Sequence, residues 1–151
     1  MKAILQRALS ASVIADGEPA GKIDHGLLIL LGVLKGDEKA DAVLLAEKIS
    51  KLRIFDDADG KLNLSVKDVG GSALVVSNFT LGADYRKGNR PDYFAAEAPA
   101  RANELYEYFS DALRERGIHT ENGVFGADMK ITLLADGPVT IDMDSAVLKK
   151  Q

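Results

Sequence analysis

Leu74-Val75-Val76-Ser77-Asn78-Phe79-Thr80-Leu81 opens as a buried strand and closes as something else. Leu74 to Val76 is an apolar run of β-formers that follows the turn signal Gly70-Gly71. Ser77, Asn78 and Thr80 then place two hydroxyls and an amide at the end of that strand, just before Gly82 and a charged loop. Two readings fit. The polar residues cap their own backbone in a turn, or they stand where a strand opens into a loop because chemistry is placed there.

Outward from this stretch, Gly26 to Leu34 is a second continuous apolar run, which predicts a strand buried on both faces. Residues 2–15, the turn Asp16-Gly17-Glu18-Pro19 and Lys22-Ile23 predict a first hairpin. Asp37 is the expected cap of a helix to about Leu52, with Ala42, Leu45, Ala46, Ile49 and Leu52 on its inner face. Arg53-Ile54-Phe55 reads as a short strand, and Asp56 to Lys61 as a turn before Leu62. That acidic turn lacks the spacing of oxygen ligands a calcium loop needs. Pro99 suits the first turn of a second helix running to Arg116, with Gly117 as its stop. Ile118 to Thr120 and Met129 to Leu134 read as strands, and Asp136-Gly137-Pro138-Val139-Thr140 breaks the latter before Ile141 to Met143 resumes it. With strands outnumbering two main, widely separated helices, the pattern predicts a single α+β domain over 1–151 with a mainly antiparallel sheet or roll.

Composition narrows the function. A formal charge of -4 excludes a broad basic footprint, so any nucleic-acid contact is local. The three cations Arg86, Lys87 and Arg90, in a loop with turn residues at both ends, form either a solvated surface or a phosphate clamp. With no cysteine in the chain, disulfides, thiolate metal sites and a cysteine nucleophile are excluded. The longest apolar run is too short for a bilayer and the first residues lack a signal-peptide core, which together predict a cytoplasmic protein.

Catalytic patterns are sparse. Ser77 and Thr80 supply hydroxyls, but no Gly-x-Ser-x-Gly elbow surrounds them and neither His25 nor His119 has a local partner. No His-Glu-x-x-His, phosphate-loop or dinucleotide pattern occurs, so neither a metal nor a cofactor is expected. Catalysis would have to lean on backbone groups or on the substrate. Phe125, held between Gly123 and Gly126, is either a core plug or a stacking platform.

Against that background the chain resembles a known family. Ser77-Asn78-Phe79-Thr80-Leu81 is similar to the Ser-Gln-Phe-Thr-Leu motif of the D-aminoacyl-tRNA deacylases, and Asp136-Gly137-Pro138-Val139-Thr140 to their second, Gly-Pro motif. Gln6-Arg7, the Gly26 to Val33 run, Leu52 to Phe55, Lys87 to Pro91 and Phe125 to Met129 follow in family order. The resemblance implies a homodimer with active sites at the subunit interface, where Gly137-Pro138 of one subunit enters the pocket of the other.

It further implies hydrolysis of the ester joining a D-amino acid, or glycine, to the terminal adenosine of tRNA. A cis Gly137-Pro138 element would turn backbone carbonyls on the substrate's α-carbon and exclude an L side chain. The resemblance assigns Ser77, Asn78, Phe79 and Thr80 to the catalytic wall, with backbone N–H groups around Phe79 and Thr80 holding the oxyanion and the ribose 2′-hydroxyl assisting water. It gives Arg7 the support of the Gly-Pro element, and Phe125 and Met129, with Val139 and Thr140, the binding of substrate. The expected partners are the acceptor end of aminoacyl-tRNA and a second copy of the chain, with no membrane and no DNA. One residue departs from the pattern: Asn78 stands where the family has glutamine, one methylene longer. The alternative is therefore a catalytically silent dimer that binds RNA ends or a small metabolite.

Overall fold

The computed structural model describes residues 1–150. Its longest ladder joins β1 (Lys2–Ala15) to β8 (Met129–Asp144), antiparallel, with the register shifting around Arg7 and again before Ser10. On its other edge β1 pairs with β2 (Glu18–Ile23) and then with β3 (Gly26–Gly32). The register runs from Ala11↔Ile23 to Ala8↔Gly26 without a shift, so β2 and β3 are two halves of one returning strand. The hairpin expected at the N-terminus is present and continues further than its turn residues announce.

Beyond β3 the sheet changes character. β6 (Ser72–Ser77) lies parallel to β3, and β7 (Thr120–Asn122) parallel to β6. Parallel neighbours need a crossover, and the two helices provide it: α1 (Lys39–Lys51) lies between β3 and β6, α2 (Pro99–Glu115) between β6 and β7. The mainly antiparallel expectation thus holds for the β1 ladders and not for the strand that carries the motif.

Both apolar runs are buried on both faces, as their composition predicts. Leu27, Ile29, Leu31, Ala73 and Val75 join α1 and α2 in the larger core through Leu45, Ile49, Leu105, Phe109 and Leu113. Leu28, Leu74 and Val76 pack on the other side against Ala8, Ala11 and Val13.

Several local expectations need correction. Asp37 does not cap α1: its carboxylate turns inward, accepting the Leu34 N–H at 2.7 Å and the Met1 ammonium at 2.6 Å. Glu38 is the cap, and Asp41 accepts the Glu38 N–H at 2.9 Å. Burial opposes ionisation of Asp41, but hydrogen bonds from Lys149, Ser145 and Glu38 win and hold it at about 2. The short strand at Arg53-Ile54-Phe55 is β4 (Phe55–Asp56), paired with β5 (Leu62–Leu64). It starts late because the Ile54 carbonyl accepts from Arg7 instead of a ladder partner. The strand at Ile118 to Thr120 likewise begins at Thr120. A short helix α3 (Ser145–Leu148), capped by Asp144, follows β8 and has no counterpart in the expectations. No helix among the described residues is long and apolar enough to cross a membrane.

Candidate active site

Because β3 and β6 run parallel, their carboxyl ends open on the same edge of the sheet, where α/β proteins commonly gather ligands. There Asn78 N–H donates to Leu31 O at 2.8 Å, and the chain leaves β6 through a 3-10 turn, Phe79–Gly82. The turn is capped by Asn78, whose Oδ1 accepts the Thr80 N–H at 3.2 Å and also the Thr80 hydroxyl. Capping by a short amide favours Asn over Gln, whose extra methylene spoils the ring this contact closes. Phe79, first residue of the turn, keeps an N–H with no partner inside it.

This edge forms one wall of a cavity of about 720 Å³. Ser77, Asn78, Phe79, Phe125 and Met129 line it, as do Val33 and Lys35 from the end of β3 and Tyr93, Glu97 and Pro99 from the segment leading into α2. Phe125 packs against the core and also lines the cavity: its ring lies 5.9 Å from that of Tyr106, itself buried. The Tyr106 hydroxyl donates to Val75 O at 2.9 Å, fixing this support to the motif strand. Phe79 and Tyr93 meet edge to face at 5.2 Å across the mouth. Lys35, Glu97 and Tyr93 were not legible as site residues, since only parallel pairing of β3 with β6 brings their segments to Ser77.

Thr80 is not among the lining residues, and its hydroxyl is held by Asn78. Among the described residues no hydrolytic triad forms around it: the two histidines lie elsewhere, His25 against the Phe55 ring and His119 beside Glu121.

The second motif lies apart. Gln6 pairs with Thr140 and Ala8 with Ala135, so Asp136, Gly137, Pro138 and Val139 all bulge opposite Arg7 alone. Gly137 and Pro138 are exposed and joined by a cis bond, while Val139 packs on the larger core and Thr140 stays in the ladder. Arg7, only 6% exposed, binds this bulge to the β4 segment. Its Nε donates to Asp136 O at 2.9 Å and lies 3.3 Å from the Asp136 carboxylate; Nη1 donates to Ile54 O at 3.1 Å and Asp56 at 3.4 Å. None of Arg7, Gly137, Pro138, Val139 or Thr140 lines the cavity of its own chain.

The three loop cations are not equivalent. Arg86 donates through Nε and Nη2 to Asp84, at 2.9 and 2.5 Å, and these contacts hold the Asp84 carboxyl down at about 2. Lys87 and Arg90 project from the exposed tip.

The family model described as D-Tyr-tRNA(Tyr) deacylase matches residues 4–144. A D-aminoacyl-tRNA deacylase of Thermus aquaticus is 54% identical over 146 residues, 97% of this chain and 96% of its own. One of Chloroflexus aurantiacus is 56% identical over 149 residues, 99% and 93% of the two chains. Among solved structures, one titled c-Myc DNA Unwinding Element Binding Protein superposes with a TM-score of 0.88 at 37% identity, covering 95% of this chain and 98% of that one. Another, titled as a probable eukaryotic D-amino acid tRNA deacylase, shares the fold with a TM-score of 0.81 at 15% identity, covering 94% of this chain and 97% of that one. With its two motifs on one fold and a match over nearly its whole length, the chain belongs to the D-Tyr-tRNA(Tyr) deacylase family.

Proposed function

We propose that the protein hydrolyses the ester of D-aminoacyl-tRNA, and of glycyl-tRNA, as a homodimer in which each Gly137-Pro138 completes the cavity of the other subunit. The observation that carries this is the separation of the two motifs: Ser77 to Phe79 line the cavity, while Gly137 and Pro138 are exposed and outside it. An exposed, braced bulge is well suited to act on a second molecule. Leu9, Ile14, Ile131 and Leu134 are exposed on the adjoining β1–β8 ribbon, which supports an apolar contact between copies there.

In the cavity the adenine of the terminal nucleotide stacks on Phe125, beside Met129, as single-stranded RNA bases stack on aromatic rings. The aminoacyl ester then lies against the Ser77 to Thr80 wall. Water attacks the ester carbonyl, assisted by the 2′-hydroxyl of the same ribose. The Phe79 N–H donates to the developing oxyanion, while Asn78 Oδ1, accepting the Thr80 N–H, keeps the turn that presents it in place. Collapse of the tetrahedral intermediate expels the ribose 3′-oxygen, which takes up a proton, leaving free D-amino acid and tRNA. The partner's Gly137 and Pro138 carbonyls occupy the side of the α-carbon where an L side chain would project. Hydrogen or a D side chain leaves that side clear.

The silent-binder alternative rests on the shortened amide at position 78. With Asn78 Oδ1 engaged by Thr80, the turn is held by a contact that asparagine makes well, and reach into the cavity is not required of it. Thr80→Ala separates backbone from side-chain chemistry. The variant is expected to keep its turnover within about tenfold of the parent, since a lost neutral hydrogen bond is worth about 0.5–1.5 kcal/mol. Single-turnover assays with D-tyrosyl-tRNA measure this, and trapping of a covalent acyl-enzyme would reverse the assignment. The function itself is tested by comparing release of D- and L-tyrosine from the corresponding tyrosyl-tRNAs.

A further inference from the structure

A shallower groove of about 320 Å³ has no role in the scheme above. The segments Val33–Lys35 and Ala95–Glu97 form a short ridge between the two hollows: Lys35 N–H donates to Ala95 O at 2.9 Å, Glu97 N–H to Val33 O at 3.0 Å, and Leu34 bridges Ala96. Val33, Lys35 and Ala96 of this ridge line the cavity, and Leu34 and Ala95 line the groove.

We propose that this groove seats the nucleotide next to the esterified one, with Tyr85 as its stacking surface. The inference rests on the acceptor end occupying the cavity. Three observations carry it. Its floor is apolar, built from Leu34, Ala83 and Ala95, and the Tyr85 ring stands at its edge 76% exposed. Its charged rim holds Lys2, together with Arg86 paired to Asp84, on a chain whose formal charge is -4. Its shape is set before any ligand arrives: Asp84 and Asp92 exchange backbone hydrogen bonds at 2.8 and 2.9 Å on either side of the loop, and Asp84 also holds the Arg86 N–H at 3.0 Å. A single strand leaving the cavity over the ridge would meet an aromatic face for its base and cations for its phosphate, the pairing that sequence-tolerant single-strand binding uses. Arg86, braced by Asp84, serves as a positioned donor, and Lys87 and Arg90 at the tip lie further along the same path.

The test compares D-tyrosyl-tRNA with 2′(3′)-O-D-tyrosyl-adenosine, which lacks the neighbouring nucleotide. In Tyr85→Ala the kcat/KM on the tRNA ester, relative to that on the adenosine ester, is expected to fall about tenfold, as loss of one stacked base implies, and Tyr85→Phe to restore it. A second arm titrates the unmodified protein and Tyr85→Ala with cytidylyl-(3′→5′)-adenosine and with adenosine. The dinucleoside should bind the parent more tightly than adenosine, and the substitution should remove that advantage. Equal binding of the two in the parent, or an equal effect of Tyr85→Ala on both esters, would overturn the proposal. So would loss of self-association in sedimentation of Tyr85→Ala, which would assign the groove to a contact between copies. Hydrolysis of neither ester by the parent would remove the deacylase reading instead, while the binding arm would still decide the groove.

Discussion

Replacing Gly137 with alanine is expected to cut D-tyrosyl-tRNA hydrolysis by about a hundredfold or more and to reduce the preference for D over L esters. Gly137 has φ +154, a region that L side chains rarely adopt, and a Cβ there would overlap the backbone nitrogen of Val139 two residues on. The overlap is with backbone inside the same bulge, so no side-chain rotation relieves it. Asp136 is held by Arg7 and Val139 by the core, which leaves Gly137 and Pro138 themselves to move. A shift of about 1 Å in a positioning element costs on the order of a hundredfold in rate. Steady-state assays on matched D- and L-tyrosyl-tRNA give both quantities. An alanine variant with unchanged rate and unchanged D-to-L ratio would remove Gly137 from the selective element.

Arg7→Ala is expected to lose both stability and activity. Arg7 is buried and satisfies the carbonyls of Asp136 and Ile54 while facing the carboxylates of Asp56 and Asp136. Truncation leaves two carbonyl acceptors without their donor and two carboxylates without their cation, a loss of about 3 kcal/mol or more. For a chain of this size that lowers Tm by about 6–12 °C. The bulge loses its anchor in the same step, so deacylation at a temperature where the variant is still folded should fall by about a hundredfold. Lysine would keep the charge but has no planar fork to serve two carbonyls in different segments, so Arg7→Lys should regain little of the activity. Thermal denaturation followed by circular dichroism, paired with rates at 20 °C or below, separates the two effects. Full activity of folded Arg7→Ala would show that the bulge holds its shape without this side chain.

The two apolar runs were legible because composition reports burial directly: Leu27 to Leu31 and Leu74 to Val76 could only lie between two covered faces. The direction of their pairing was not, since a continuous run carries no mark of whether its neighbour is parallel. That one undetermined property hid the site's other wall, because Lys35 reaches Ser77 only if β3 and β6 end together. The break at Gly137-Pro138 was visible as chain chemistry, but its form was not. Turn residues announce a departure from a ladder without saying that four residues will stand opposite a single arginine. At Asp37 the error was one of proximity: both Asp37 and Glu38 precede the helix, and long-range bonds to Leu34 and Met1 draw the better intrinsic cap inward. The loop cations were all visible, yet only the folded loop distinguishes Arg86, tied to Asp84, from Lys87 and Arg90 at the tip.

The most direct test of the account is the rate of tyrosine release from D-tyrosyl-tRNA and from L-tyrosyl-tRNA, each at equal concentration with the intact protein and with buffer alone. Rapid release of D-tyrosine, with L-tyrosine leaving at the buffer rate, is the predicted result. Release of D-tyrosine no faster than in buffer, or equal release of both enantiomers, would contradict it.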